Sequence, residues 1–137
     1  MDKLLKETLE CIALENEEYD KSYDLVGQIV ESCGEDGLTN RLYSEIDSTV
    51  PWKVVADLYS ILIWSTSDNG AAISRETEKW IIECSDERKI SIALHLDTYP
   101  FLDLKEMVDQ LNAVAEKFPR LKDKCNYLIT SRIESNA

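Results

Sequence analysis

The stretch DSTVPWKVVADLYSILIWSTSDNG, residues 47–70, decides the fold. Val54, Val55, Leu58, Ile61, Leu62 and Trp64 recur at helical spacing and leave almost no polar face, which predicts the most buried helix of the chain. Proline is tolerated in a first helical turn, so Pro51 marks the start, with Ser48 or Thr49 placed to cap it. The polar run STSDNG ends it, because Asn69-Gly70 is a turn signal rather than a helix interior. Residues 65–70 are therefore expected to form the main loop or hinge. The longest apolar run, VVADLYSILIW, is broken by Asp57 and falls short of the roughly 18 apolar residues that a membrane span needs.

The same period holds outward in both directions. Leu5, Leu9 and Ile12 stripe a first helix, and Tyr19, Tyr23, Val26, Val30 and Cys33 a second that stops at Gly34. Leu38, Leu42 and Ile46 carry a third. Beyond the loop, Ile73, Trp80, Ile81 and Cys84 mark a fifth. A sixth starts at Ser85 or Asp86 and ends before Pro100, since the residue ahead of proline is pushed out of the helical region. Asp103 with Glu106 resembles a capping box at the head of a seventh helix striped by Leu104, Val108, Leu111, Ala115 and Phe118. Pro119 separates it from an eighth, carried by Leu121, Cys125, Leu128 and Ile129. No alternating strand pattern competes, so the fold class is all-α with about eight helices. They pair into antiparallel hairpins of roughly 32 to 35 residues, the length of one repeat in a HEAT-like α-α stack, with an irregular helical bundle as the alternative. Residues 1–137 are read as one helical domain.

The chain has 137 residues and is 44% hydrophobic, enough for one core. Its 27 acids against 15 bases leave a net charge of −12. Such a balance argues against nucleic acid as a partner, because Lys and Arg must replace the counterions of phosphates, and against an anionic membrane surface. The N-terminus MDKLLKETLECIALENEEYD lacks the pattern of a secretory signal, and a cytoplasmic location is expected. Four scattered cysteines without a C-x-x-C pair read as buried thiols in a reducing compartment, with neither a zinc site nor any cofactor implied.

The single histidine, His95, shares the predicted polar side of the sixth helix with Glu87, Ser91 and Thr98. Asp97 would point about 200° round an ideal helix from it and could not orient the imidazole. Glu7 with Glu10, Glu15 with Glu18, and Asp20 with Asp24 stand at same-face spacings. A di-iron bundle would need Glu-x-x-His, however, and Ile92 stands three residues before His95. No nucleophile elbow, phosphate loop or H-E-x-x-H is present. The residues predict neither catalytic nor metal-binding groups, and so a non-enzymatic protein.

The distribution of the acids is more informative. Residues 1–50 hold 13 acids and 4 bases, a net of −9, whereas residues 51–137 hold 14 and 11, a net of −3. Together with the interface-prone rings of two tyrosines, this predicts a docking surface for a basic protein made by Glu15, Glu17, Glu18, Tyr19, Asp20, Tyr23, Asp24, Glu35 and Asp36. The competing expectation is an α-repeat adaptor with an apolar groove around Trp52, Tyr59 and Trp80.

Residues 86–133, DERKISIALHLDTYPFLDLKEMVDQLNAVAEKFPRLKDKCNYLITSRI, resemble the closing helices of small helical immunity proteins of bacterial polymorphic-toxin and contact-dependent growth-inhibition systems. They are similar in particular to the family called immunity protein thirty. The shared features are a helix ending in an aromatic-proline step, here Tyr99-Pro100, then a long helix, then a last helix with an arginine near its end, here Arg132. The resemblance implies a cytoplasmic protein that binds and neutralises the C-terminal domain of a cognate toxin, often a basic nuclease, without catalysis of its own.

Overall fold

The computed structural model describes residues 2–15 and 20–135. Among them are eight α-helices and no strand: α1 (Lys3–Leu14), α2 (Asp20–Cys33), α3 (Leu38–Glu45), α4 (Trp52–Ile63), α5 (Ala71–Glu83), α6 (Glu87–Leu94), α7 (Leu104–Lys117) and α8 (Lys122–Ser135). A single 3-10 turn, Pro119–Leu121, precedes α8. The chain divides into two compact units, residues 1–76 and 77–137, and the division falls within α5.

In the first unit α1, α2 and α4 pack on one another, the mutual contact of a bundle core. Leu5, Leu9 and Ile12 of α1 are buried, as their spacing predicts. In α2 the buried residues are Ser22, Val26 and Ile29, so the inward face is turned away from the predicted stripe and Tyr23 stands 43% exposed. Helix α4 is buried from Leu58 to Ile63, and Trp64, at its C-cap, is 62% exposed. The fully buried Tyr59 hydroxyl donates to the Thr39 carbonyl at 2.6 Å, tying α4 to α3. Burial pushes that phenol well above the usual tyrosine range.

The helix ends follow from local chemistry. Asp2 caps α1 by accepting the Leu4 N–H. Pro51 is itself the N-cap of α4 and makes no side-chain cap bond, so the expected Ser48 or Thr49 cap is not formed. Asp47 instead closes the preceding turn onto the Thr49 N–H and hydroxyl at 2.9 Å each. Residues 65–70 form a hydrogen-bonded turn in which Asp68 accepts from the Gly70 and Ala72 N–H groups, both at 3.0 Å. Those donors, with the Ala72 N–H foremost, hold the Asp68 carboxyl below its ordinary range. Gly70 adopts φ +80°, and a Cβ there would lie 2.9 Å from the Ile63 Cα, so only glycine fits.

In the second unit α7 packs on α8 through Met107, Leu111 and Val114 of α7 and Cys125 and Leu128 of α8. The predicted α7 stripe is one residue out of phase: Leu111 is buried, but Leu104, Val108 and Ala115 are only partly so. Helix α6 starts at the expected Asp86 cap but ends at Leu94, well before Pro100. Its residues from Ile90 to Leu94 are all buried, Ser91 included, so Ser91 is not on a polar face. Asp103 accepts the Glu106 N–H at 3.0 Å and caps α7 as predicted. Every cysteine is a free thiol, but only Cys125 is buried; Cys11, Cys33 and Cys84 are half-buried, contrary to the expectation of four core thiols. Burial pushes the Cys125 thiol up to about 11, with repulsion from Cys84 adding to it, so it stays protonated at neutral pH.

Candidate functional site

An open cleft of about 410 Å³ lies along α1 and the start of α2. Leu14, Leu25 and Cys11 are its apolar lining, and Glu7, Glu10 and Glu15 line it with carboxylates. Lys21 is the one cation among the described residues that line it. Glu7, Glu10 and Leu14 succeed one another at three and four along α1, so they share a side of the helix. That side is not the core stripe of Leu5, Leu9 and Ile12, and Leu14 is 84% exposed.

Glu15 has a structural as well as an electrostatic part. It stands at the C-cap of α1, where its carboxylate accepts the Ser22 hydroxyl at 2.6 Å and the Cys11 thiol at 3.4 Å. Ser22 is buried, and this bond removes the cost of an unsatisfied hydroxyl inside the α1–α2 contact. The Ser22 hydroxyl is also the main reason that the Glu15 carboxyl titrates below its ordinary range, with smaller help from Cys11 and Lys21. Glu15 therefore stays charged through the whole neutral range.

The other predicted docking residues are divided. Asp20, Tyr23 and Asp24 are exposed on α2 but do not line this cleft. Glu17, Glu18 and Tyr19 lie outside the described residues. Glu35 and Asp36 line a smaller cleft of about 230 Å³, together with Asp68 and Glu76. There Glu35 accepts the Ser67 N–H and hydroxyl at 3.0 Å each, and Glu76 accepts from the Asn40 amide at 3.0 Å. Those bonds commit the carboxylates to joining segments within the unit. No group of three or more His, Cys, Asp or Glu side chains placed to hold a metal ion occurs among the described residues. Nor is any helix among them long and apolar enough to cross a membrane.

No protein-family model, no curated protein and no solved structure matches the chain.

The remaining sequence candidates find structural places. His95 is the C-cap of α6, and its Nδ1 lies 2.7 Å from the Ser91 carbonyl, the contact of a ring donating into the last turn. Asp97 is exposed beyond the end of the helix. Tyr59 and Trp80 are buried, so the apolar groove expected around Trp52, Tyr59 and Trp80 is not an open surface. Arg132 binds the backbone: its guanidinium donates to the Phe101 carbonyl at 2.7 Å and to the Leu102 carbonyl at 2.6 Å. The Tyr99 hydroxyl meets Ser131 Oγ at 2.6 Å, and the buried Glu78 accepts the Phe101 N–H at 3.1 Å. Together these hold Phe101 at φ +65°, a strained conformation for an aromatic residue, and leave Leu102 83% exposed.

Leu14, Glu7 and Glu10 line the cleft but are not among the docking residues read from the sequence. A signal existed: Leu14 is a large apolar residue out of phase with its helix's core stripe, one turn beyond a same-face pair of acids.

Proposed function

We propose that this chain is a non-enzymatic binding protein that occludes a basic partner domain. The partner of first choice is the C-terminal domain of a cognate bacterial toxin, because of the resemblance carried by residues 86–133. The observation that supports it most is the cleft on α1 and α2, which an exposed leucine lines together with Glu7, Glu10 and Glu15. An exposed apolar side chain with charged neighbours suits an interface, where it would be desolvated as an anchor beside a polar rim. The surrounding charge agrees with it, since residues 1–76 hold 16 acids and 6 bases, a net of −10. A field of that sign speeds encounter with a cationic domain, and seating on a nuclease's phosphate-binding surface would block substrate by occlusion.

Co-expression with the C-terminal domain of the protein encoded immediately upstream tests the reading. Rescue of growth, with recovery of a one-to-one complex whose affinity falls as salt is raised, is the expected result. Absence of both rescue and complex overturns the proposed function. Reversing the charge of Glu17, Glu18 and Asp20 is expected to slow association and flatten its salt dependence.

A further inference from the structure

We infer that the α1–α2 cleft receives an amphipathic basic segment of the partner, with one large apolar side chain seated on Leu14 and Leu25 and cations set against the α1 carboxylates; this rests on the basic-partner reading above. The occupant's chemistry follows from the lining. The floor is apolar and open on one side, so a side chain entering it loses water on both surfaces. Its volume of about 410 Å³ holds an anchor with its flanking stems rather than a folded domain. The carboxylates are not scattered. Glu7 and Glu10 are separated by about 4.5 Å of helical rise, and Leu14 follows about 6 Å further on. A facing helix reproduces that order with Lys or Arg at i and i+3 or i+4, and Leu, Met or Phe one turn beyond. Glu15 adds negative charge beside the anchor, held ionised by Ser22. Lys21, on the α2 side, favours a neutral or acidic residue on the segment's other flank and disfavours a helix that is basic all round.

The test uses the full chain and fluorescein-labelled synthetic peptides, read by anisotropy. One peptide carries the pattern of two cations and a leucine on one face; its partner is a scramble of identical composition and charge. The patterned peptide is expected to bind at least tenfold more tightly than the scramble. Leu14→Ser should weaken it about tenfold, whereas Leu14→Met should leave it within about twofold, since Met refills the same apolar volume. Glu7→Gln combined with Glu10→Gln should weaken it and flatten its salt dependence, while Glu45→Gln, on α3, should not. Because Leu14 is exposed, these variants keep the fold, which circular dichroism checks. Equal binding of patterned and scrambled peptides, or no response to Leu14→Ser, overturns the inference. A toxin domain that is neutralised just as well by the Leu14→Ser protein would sink the cleft assignment and leave the proposed function standing. Patterned-peptide binding in a protein that rescues no toxin would do the opposite.

Discussion

The two units use their charged side chains differently. In residues 77–137, with 11 acids and 9 bases, cations are committed to the fold. Arg132 gathers the carbonyls of residues 100–102, Lys117 donates to the Cys84 carbonyl at 2.6 Å where α5 ends, and Arg120 pairs with Glu87 at 2.6 Å. Carbonyls at helix ends and in tight loops lack backbone partners, and a cation satisfies them while opposing their negative potential. In the first unit Arg41 plays the same part, donating to the carbonyls of Cys33, Gly34 and Asp36 around the end of α2. The unit's acids serve the fold too, through Asp2, Glu15, Glu35, Asp47, Asp68 and Glu76, yet they still outnumber its bases by 16 to 6. Excess charge of one sign raises self-repulsion, and three of these carboxylates, Glu7, Glu10 and Glu15, line the open cleft beside Leu14.

The comparison yields four tests, beginning with the largest effect. If both units stand on their apolar interiors whatever their charge, Leu58→Ala in the first and Met107→Ala in the second should each cost about 3 kcal/mol in urea unfolding. A loss below about 1 kcal/mol in either would break the symmetry of the cores. Arg132→Met should cost about 2 kcal/mol, because it orphans several carbonyls around a strained residue, and should change the amide shifts of residues 99–103. The exposed Arg41→Met should cost less than half as much; equal losses would erase the contrast between the units.

Acid pH gives a smaller effect with a fixed sign. Glu15 titrates below its ordinary value in the folded chain, so its contribution is complete above the unfolded carboxylate pKa and is lost as pH falls through the folded one. Carboxyl NMR titration should show Ser22→Ala returning Glu15 toward the ordinary range, and an unmoved midpoint would remove Ser22 as the cause. Smallest of all, Glu7→Gln with Glu10→Gln should shift stability by no more than about 0.5 kcal/mol, as expected of surface positions the fold does not use. A larger loss would mean that these acids are structural after all.

The helical class, the eight helices and the Asp86 and Asp103 caps were all legible, because each depends on residues within one or two turns. What failed depends on partners distant in sequence. The face of α2 was misplaced because Tyr23 weighs as apolar in any periodicity, whereas an inward position, Ser22, is satisfied by Glu15 and Cys11 of the preceding helix end. Helix α7 carries two apolar stripes, and packing against α8 selects Met107, Leu111 and Val114. The early end of α6 accompanies a loop held by Glu78 and Arg132, which lie 23 and 31 residues from Phe101 in the sequence. As for the candidate site, the acidity of the N-terminal half drew attention to the unit that holds the cleft, but Leu14, Glu7 and Glu10 were not among the docking residues read from it. Charge counts carry no information about which apolar residue remains outside the core.

The placement of the three tryptophans makes the two units separately visible to light. Trp52, half-buried, and Trp64, largely exposed, belong to the first unit, and Trp80, buried with the Lys89 ammonium 5.6 Å from its ring centroid, to the second. Replacing Trp52 and Trp64 by Phe leaves a single tryptophan whose spectrum shifts to the red when the burial of Trp80 is lost. The reciprocal Trp80→Phe chain reports on the acidic unit, and on anything that covers Trp64, by wavelength alone.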